Sequence, residues 1–290
     1  MPIKYSVVLG TLRSGDQGCD VWKHPNQVLE AILEAGYDGV DIDAEPDRIS
    51  NSSYEEMKKL TSSLGLQVPA LLGAWAPWHA GEERDLASTE EEVRKRGINY
   101  AQRSINLASS FDKPPLFQLC ACPLANEYPL SSTPYEILRR NFLDSTKIIT
   151  EYAFSKNVNI AIEPITKFEG YAGFLNKVPE ALELIEEVNA TNLGIQTDFF
   201  HMNIEDADFF RTLKSTSGKL MHVHMADTNR GSLGTGHLNF SRAISTLSEI
   251  NYTGYLSLDS VPAKPNWKTM IDQGINYMKG IEREQSINQN

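Results

Sequence analysis

The sequence predicts an α/β fold, a single (β/α)8 TIM barrel domain over all 290 residues. Three observations lead there. Eight short β-rich runs alternate with longer helical patterns, and eight is the strand number a closed parallel barrel needs. No linker, low-complexity tract or change of composition divides the chain. Four residues of metal-ligating type, Glu163, Asp198, His224 and Asp259, fall at the ends of the last four runs. They lie 35, 26 and 35 residues apart, each interval about one strand–helix repeat.

In chain order, strands are expected at 4–9, 39–42, 68–72, 116–121, 159–163, 193–198, 221–225 and 254–259. Between them, Pro25–Ala35 places Val28, Leu29 and Ile32 on one helical face, with Gly36 as a stop signal. A helix at 134–154 carries a stripe of Ile137, Leu138, Phe142, Ile148 and Ile149. A third, at 179–188, starts on a proline suited to a first turn and turns Leu182 and Ile185 inward. The last, at 240–250, follows Asn239 as N-cap. An open doubly wound sheet is the alternative fold. The run LGTLRSGDQG after the first strand counts against it, because it fits neither GxGxxG nor a phosphate loop. The polar end from about residue 284 is expected to fray.

Composition narrows the function. A net charge of −11 without any Lys/Arg run argues against nucleic acid or an anionic membrane as partner. The start MPIKYSVVLG lacks a signal-peptide layout, and no apolar stretch is long enough to span a bilayer, so a cytoplasmic protein is expected. Cys19, Cys120 and Cys122 cannot all pair with one another. Reduced thiols fit them, with Cys120 and Cys122 as small core residues.

Residues two apart on a strand share a face, so Glu163 goes with Ala161, Asp198 with Gln196, His224 with His222 and Asp259 with Ser257. A lone aspartate at a strand end is usually a cap. Four ligand types on consecutive strands instead suggest an oxygen-rich site for a divalent cation such as Mn²⁺, Mg²⁺ or Co²⁺. The following loops add His201, three residues past Asp198, and Arg230, a fixed donor fork, within DTNRGSLGTGH. Glu169 lies six residues past Glu163, and Trp75 and Trp78 are placed to wall a pocket or to pack between loops. His24 and His79 read as surface or capping residues.

The stretches EPITKFEG, TDFFHMNIED, HVHMADTNR, the GTGH turn and INYTGYLSLD resemble the ketose 3-epimerases of the xylose-isomerase-like barrel superfamily. That resemblance covers about the third of the chain from Ile160 to Asp259. It implies that Glu163 and Asp259 are both metal ligands and acid/base residues, and that Asp198 and His224 are ligands only. It further implies that Glu169, His201 and Arg230 contact substrate oxygens, that the metal is Mn²⁺, and that the assembly is a homodimer or tetramer. The expected reaction inverts a carbon next to a ketose carbonyl through a cis-enediolate, with the two carboxylates working on opposite faces. At the eighth strand the family pattern has glutamate where this chain has Asp259. The aspartate is one methylene shorter, and a misplacement near 1 Å can lower a rate about a hundredfold. A related sugar or inosose isomerase or dehydratase, and a sugar-binding homologue without catalysis, are the alternative readings. The repair endonucleases built on this barrel use more metals and histidines than the quartet offers.

Overall fold

Eight parallel strands close into one barrel, each hydrogen-bonded to the next in sequence and the eighth to the first. They are β1 (Lys4–Val8), β2 (Gly39–Ala44), β3 (Ala70–Gly73), β4 (Leu116–Cys120), β5 (Ile160–Glu163), β6 (Leu193–Asp198), β7 (Leu220–Met225) and β8 (Tyr255–Leu258). This computed structural model describes residues 3–73, 75, 84–121, 134–168 and 174–288. All eight expected strands are present, with ends within two residues of expectation. Outward strand residues such as Val7, Val40, Ile42, Ile162, Ile195 and Val223 are buried under the helices in one large core. Inside the barrel, Val8, Ala70 and Leu72 form a small apolar cluster. The rest of the described interior is strongly polar, and that is where the site lies.

The helices follow local signals. Pro25–Ala35 begins with its proline in the first turn and ends at Gly36, which has φ 97°. This left-handed cap suits glycine. Its buried face is Val28, Leu29, Ala31 and Ile32. Asn239 caps Phe240–Glu249 by accepting from Arg242 N–H. Two expected stripes shift by one position. In Tyr135–Ser155 the buried face is Leu138, Phe142, Ile149 and Ala153, while Ile148 is 48 % exposed. In Val178–Val188 it is Ala181, Leu184 and Ile185, with Leu182 half-buried. In both cases the residue lies at the edge of the buried arc, where a neighbour 100° further round the helix is the one turned to the barrel.

Asp206, just past the helix Phe199–Glu205, buries Oδ2 without a hydrogen-bond partner. Burial pushes its carboxyl up to about 7 despite the Val178 N–H beside it. A raised carboxyl destabilises the fold only where the unfolded chain is ionised, so the penalty grows from about pH 4 to pH 7. Asp206→Asn should therefore raise stability by about 1–2 kcal/mol at pH 8, after allowing for solvent screening. The gain should vanish near pH 4, and thermal melts of the two proteins across that range check it.

Candidate active site at the carboxyl ends of the strands

Strand alternation aims Glu163, Asp198, His224 and Asp259 into the barrel mouth from β5, β6, β7 and the residue after β8. All four are buried. Asp198, His224 and Asp259 each offer a ligand atom within 4.8 Å of the others, as do Glu163, Asp198 and His201. His224 Nδ1 lies 3.4 Å from Glu163 Oε1 and 3.5 Å from Asp259 Oδ2. The shorter Asp259 side chain thus approaches the imidazole as closely as Glu163 does. Its backbone N–H continues the sheet by donating to Met225 O.

Arg230 crosses this cluster. Its guanidinium donates to Asp198 Oδ2 at 2.9 Å and to Asp259 Oδ2 at 2.8 Å, lies 3.3 Å from His201 Nε2, and stacks over the Phe200 ring. The residue is left-handed at φ 60°, uncommon for a side chain with a Cβ. Asp227 holds that loop by accepting from the N–H groups of Thr228, Gly234 and Leu238. Gly236 packs against the same carboxylate: a Cβ there would sit 2.2 Å from Asp227 Oδ1. The GTGH turn is therefore a support for the arginine loop. His237 is exposed, bonded to Thr228, and does not line the pocket.

One step deeper, a polar network orients the histidine. Asp41 Oδ2 lies 2.7 Å from His222 Nε2 and 3.3 Å from His224 Nε2. Ser257 links His222 to Ser6, and Gln196 Nε2 lies 3.2 Å from the His224 ring nitrogens. Gln118 on β4 donates to Glu163 Oε2 and to Cys120 Sγ, and its own oxygen accepts from Gly73 N–H. Cys120 is buried in the core, as expected, and also lines the cavity beside Glu163. Trp75 both packs and lines: it is edge-on to Tyr100 and borders the cavity. Trp78, His79, Cys122 and Glu169 lie outside the described residues. His24 is exposed at the N-cap position of Pro25–Ala35 and makes no side-chain cap bond.

Charge in the cluster is tightly balanced. Burial pushes the Glu163 carboxyl up, but the His224 and His201 imidazoles outweigh it and hold Glu163 below the usual range. Burial acts likewise on Asp259, where Arg230 and His224 prevail. Burial alone would lower His224, yet Glu163, Asp259 and Asp41 hold it well above the usual histidine value. Three carboxylates around one imidazole, already drawing in a guanidinium, form an anionic donor set that suits a hard divalent cation.

The pocket above measures about 1010 Å³ and reaches from Glu163, His224 and Asp259 across the mouth to Asp43, Trp22 and Ser53. No helix among the described residues is long and apolar enough to cross a membrane.

Comparison with known proteins agrees with this architecture. Residues 29–281 match the family model described as xylose isomerase-like TIM barrel. A D-psicose 3-epimerase of Enterocloster bolteae is 32 % identical over 229 residues, covering 78 % of this chain and 73 % of that one. The 3-dehydro-D-guloside 4-epimerase of Escherichia coli is 26 % identical over 238 residues, covering 80 % and 86 %. A solved L-ribulose 3-epimerase superposes with a TM-score of 0.82 at 18 % identity, over 100 % of this chain and 99 % of that one. The chain belongs to the xylose isomerase-like TIM barrel family, among relatives that are ketose 3-epimerases.

Proposed function

We propose that this protein is a divalent-metal-dependent sugar epimerase that inverts a carbon adjacent to a carbonyl. The carrying observation is that Glu163 and Asp259, from opposite ends of the ligand-bearing half of the barrel, both approach His224 Nδ1, with Asp198 beside them. Sugar epimerase activity in the relatives named above supports the same reading.

Glu163, Asp198, His224 and Asp259 are the residues that would hold the cation, Mn²⁺ in first place and Mg²⁺ or Co²⁺ otherwise. When bound, it supplies Lewis acidity that makes the C–H next to the substrate carbonyl easier to ionise. Glu163 and Asp259 move the protons: one carboxylate removes the proton from one face of the carbon, giving an enediolate, and the other returns one to the opposite face. Gln118, donating to Glu163 Oε2, fixes the orientation of that carboxylate. Arg230 and His201 would bind substrate oxygens, and so would Glu169. Trp75 helps exclude water. The protein acts in the cytoplasm, as a homodimer or tetramer.

Asp41 is assigned to positioning. Its carboxylate faces His224 Nε2, leaving Nδ1 toward the ligand cluster. Such supporting carboxylates commonly change metal affinity 10–100-fold. Asp41→Ala should weaken Mn²⁺ binding by about that factor in a calorimetric titration, and Asp41→Asn by less.

The reading is tested by adding Mn²⁺ to chelator-treated protein and following ketoses and keto-glycosides by NMR. Epimers without aldose support it. Aldose as product would make the enzyme an isomerase, and a protein that neither binds Mn²⁺ nor converts any sugar would be a binding homologue.

A further inference from the structure

Asp43 is the second inward-facing carboxylate of β2, two residues beyond Asp41, at the end of the strand that opens into the cavity. It is half-buried, and its side chain accepts no hydrogen bond from the described residues. Glycine makes room for it: a Cβ on Gly10 would sit 2.5 Å from Asp43 Oδ2 and 2.6 Å from Oδ1. Burial pushes this carboxyl up to about 6, the charges of Glu45, Asp259 and Asp41 adding to the effect while Arg13 opposes it.

The ligand quartet occupies β5 to β8, one half of the mouth, whereas β2 belongs to the other half. Around the wall, β2 and β8 are two strand spacings apart, roughly 10 Å. The cavity continues past Asp43 to Trp22, which is held edge-on to Tyr54 at 5.1 Å, and to the cation Arg13. A carboxylate acceptor, an aromatic face and a basic donor are the groups that recognise a hydroxylated ring. At about 1010 Å³ the cavity lies at the upper end of the ~300–1,000 Å³ usual for ligand sites.

We infer that Asp43, Trp22 and Arg13 form a second sugar subsite, so that the substrate is a keto-glycoside whose second ring is held by Asp43 through its hydroxyl groups. This rests on the epimerase reading for the ring that reacts. The subsite selects the substrate and takes no part in proton transfer.

The test compares D-psicose with 3-ketolactose on the Mn²⁺-loaded protein, as wild type, Asp43→Ala and Asp43→Asn, with Gly10→Ala to displace the carboxylate without removing it. Wild type should show kcat/KM for the disaccharide at least tenfold above that for the ketohexose. Each variant should cut that ratio at least tenfold, chiefly through the disaccharide KM. No disaccharide preference in wild type, or an equal loss on both sugars in the variants, overturns the subsite. Calorimetry of 3-ketolactose binding separates the two readings. A protein that binds it through Asp43 but epimerises nothing keeps the subsite and loses the epimerase assignment, and binding indifferent to Asp43 removes the subsite whatever the chemistry.

Discussion

Glu163→Gln should lower kcat about 10³-fold while the protein still folds and binds Mn²⁺. The substitution keeps the shape and one oxygen for ligation but removes the basic carboxylate. General acid–base groups typically contribute 10²–10⁴-fold, so a loss near 10³ corresponds to about 4 kcal/mol of transition-state stabilisation. Asp259→Asn should cost about as much, because inversion needs a proton removed on one face and delivered on the other. The double variant should be little worse than either single one, since residues that act as a unit are far from additive. Steady-state kinetics with a Mn²⁺ titration of each variant measures this. If both single variants turn over at near wild-type rates with metal bound, the two-base assignment is wrong.

The second large effect is expected from His224→Ala. In the protein without metal, this imidazole stands among Glu163, Asp259 and Asp41, all buried. Its removal takes away the cation all three share, leaving Asp259 to Arg230, Asp41 to His222 and Glu163 without a cation in hydrogen-bond contact among the described residues. Breaking a buried pair costs about 3–5 kcal/mol. Near 2–4 °C per kcal/mol in domains of about 150–250 residues, the melting temperature should fall by roughly 6–20 °C. Wild type should gain about 2.7 kcal/mol from Mn²⁺ at a hundred times its Kd, and the variant should gain almost nothing.

The same residue sets a pH dependence. A histidine whose folded pKa is raised stabilises the fold fully below its unfolded value near 6.5, and that stability is lost as pH rises through the folded value. The metal-free protein should therefore weaken in the alkaline range. The Mn²⁺-induced rise in melting temperature should grow with pH, because ligation needs the neutral imidazole. Melts with and without Mn²⁺ between pH 6 and pH 9 test both halves.

Much of the barrel could be read from the chain because each strand is short and apolar-rich and alternates with amphipathic helices. Strands β5 to β8 carried their chemistry at the last inward position, so alternation alone placed Glu163, Asp198, His224 and Asp259 at one end. Other parts of the site were harder to see. Asp41 and Asp43 stand in GVDIDA, where a strand ending at Ile42 leaves Asp43 to the loop; β2 in fact runs to Ala44. The alternation that paired His222 with His224 would have paired these two as well, given that end point. Gln118 and Cys120 gave no signal, since a glutamine and a thiol on a strand acquire meaning only when β4 registers against β5 and sets Cys120 opposite Glu163. The Asp41–His222–Ser257 network joins residues up to 216 positions apart and depends on closure of the barrel, which no local pattern encodes. The misplaced stripe residues, Ile148 and Leu182, came from apolar neighbours that local periodicity could not rank.

The central claim, two-base epimerisation at a metal site, is tested most directly by running the Mn²⁺-loaded protein with a ketose in D₂O and locating the label by NMR. Deuterium is expected at the single carbon that inverts, in the epimer formed, with no aldose. Label at C1 with aldose as product, or inversion with no solvent label at all, would contradict it.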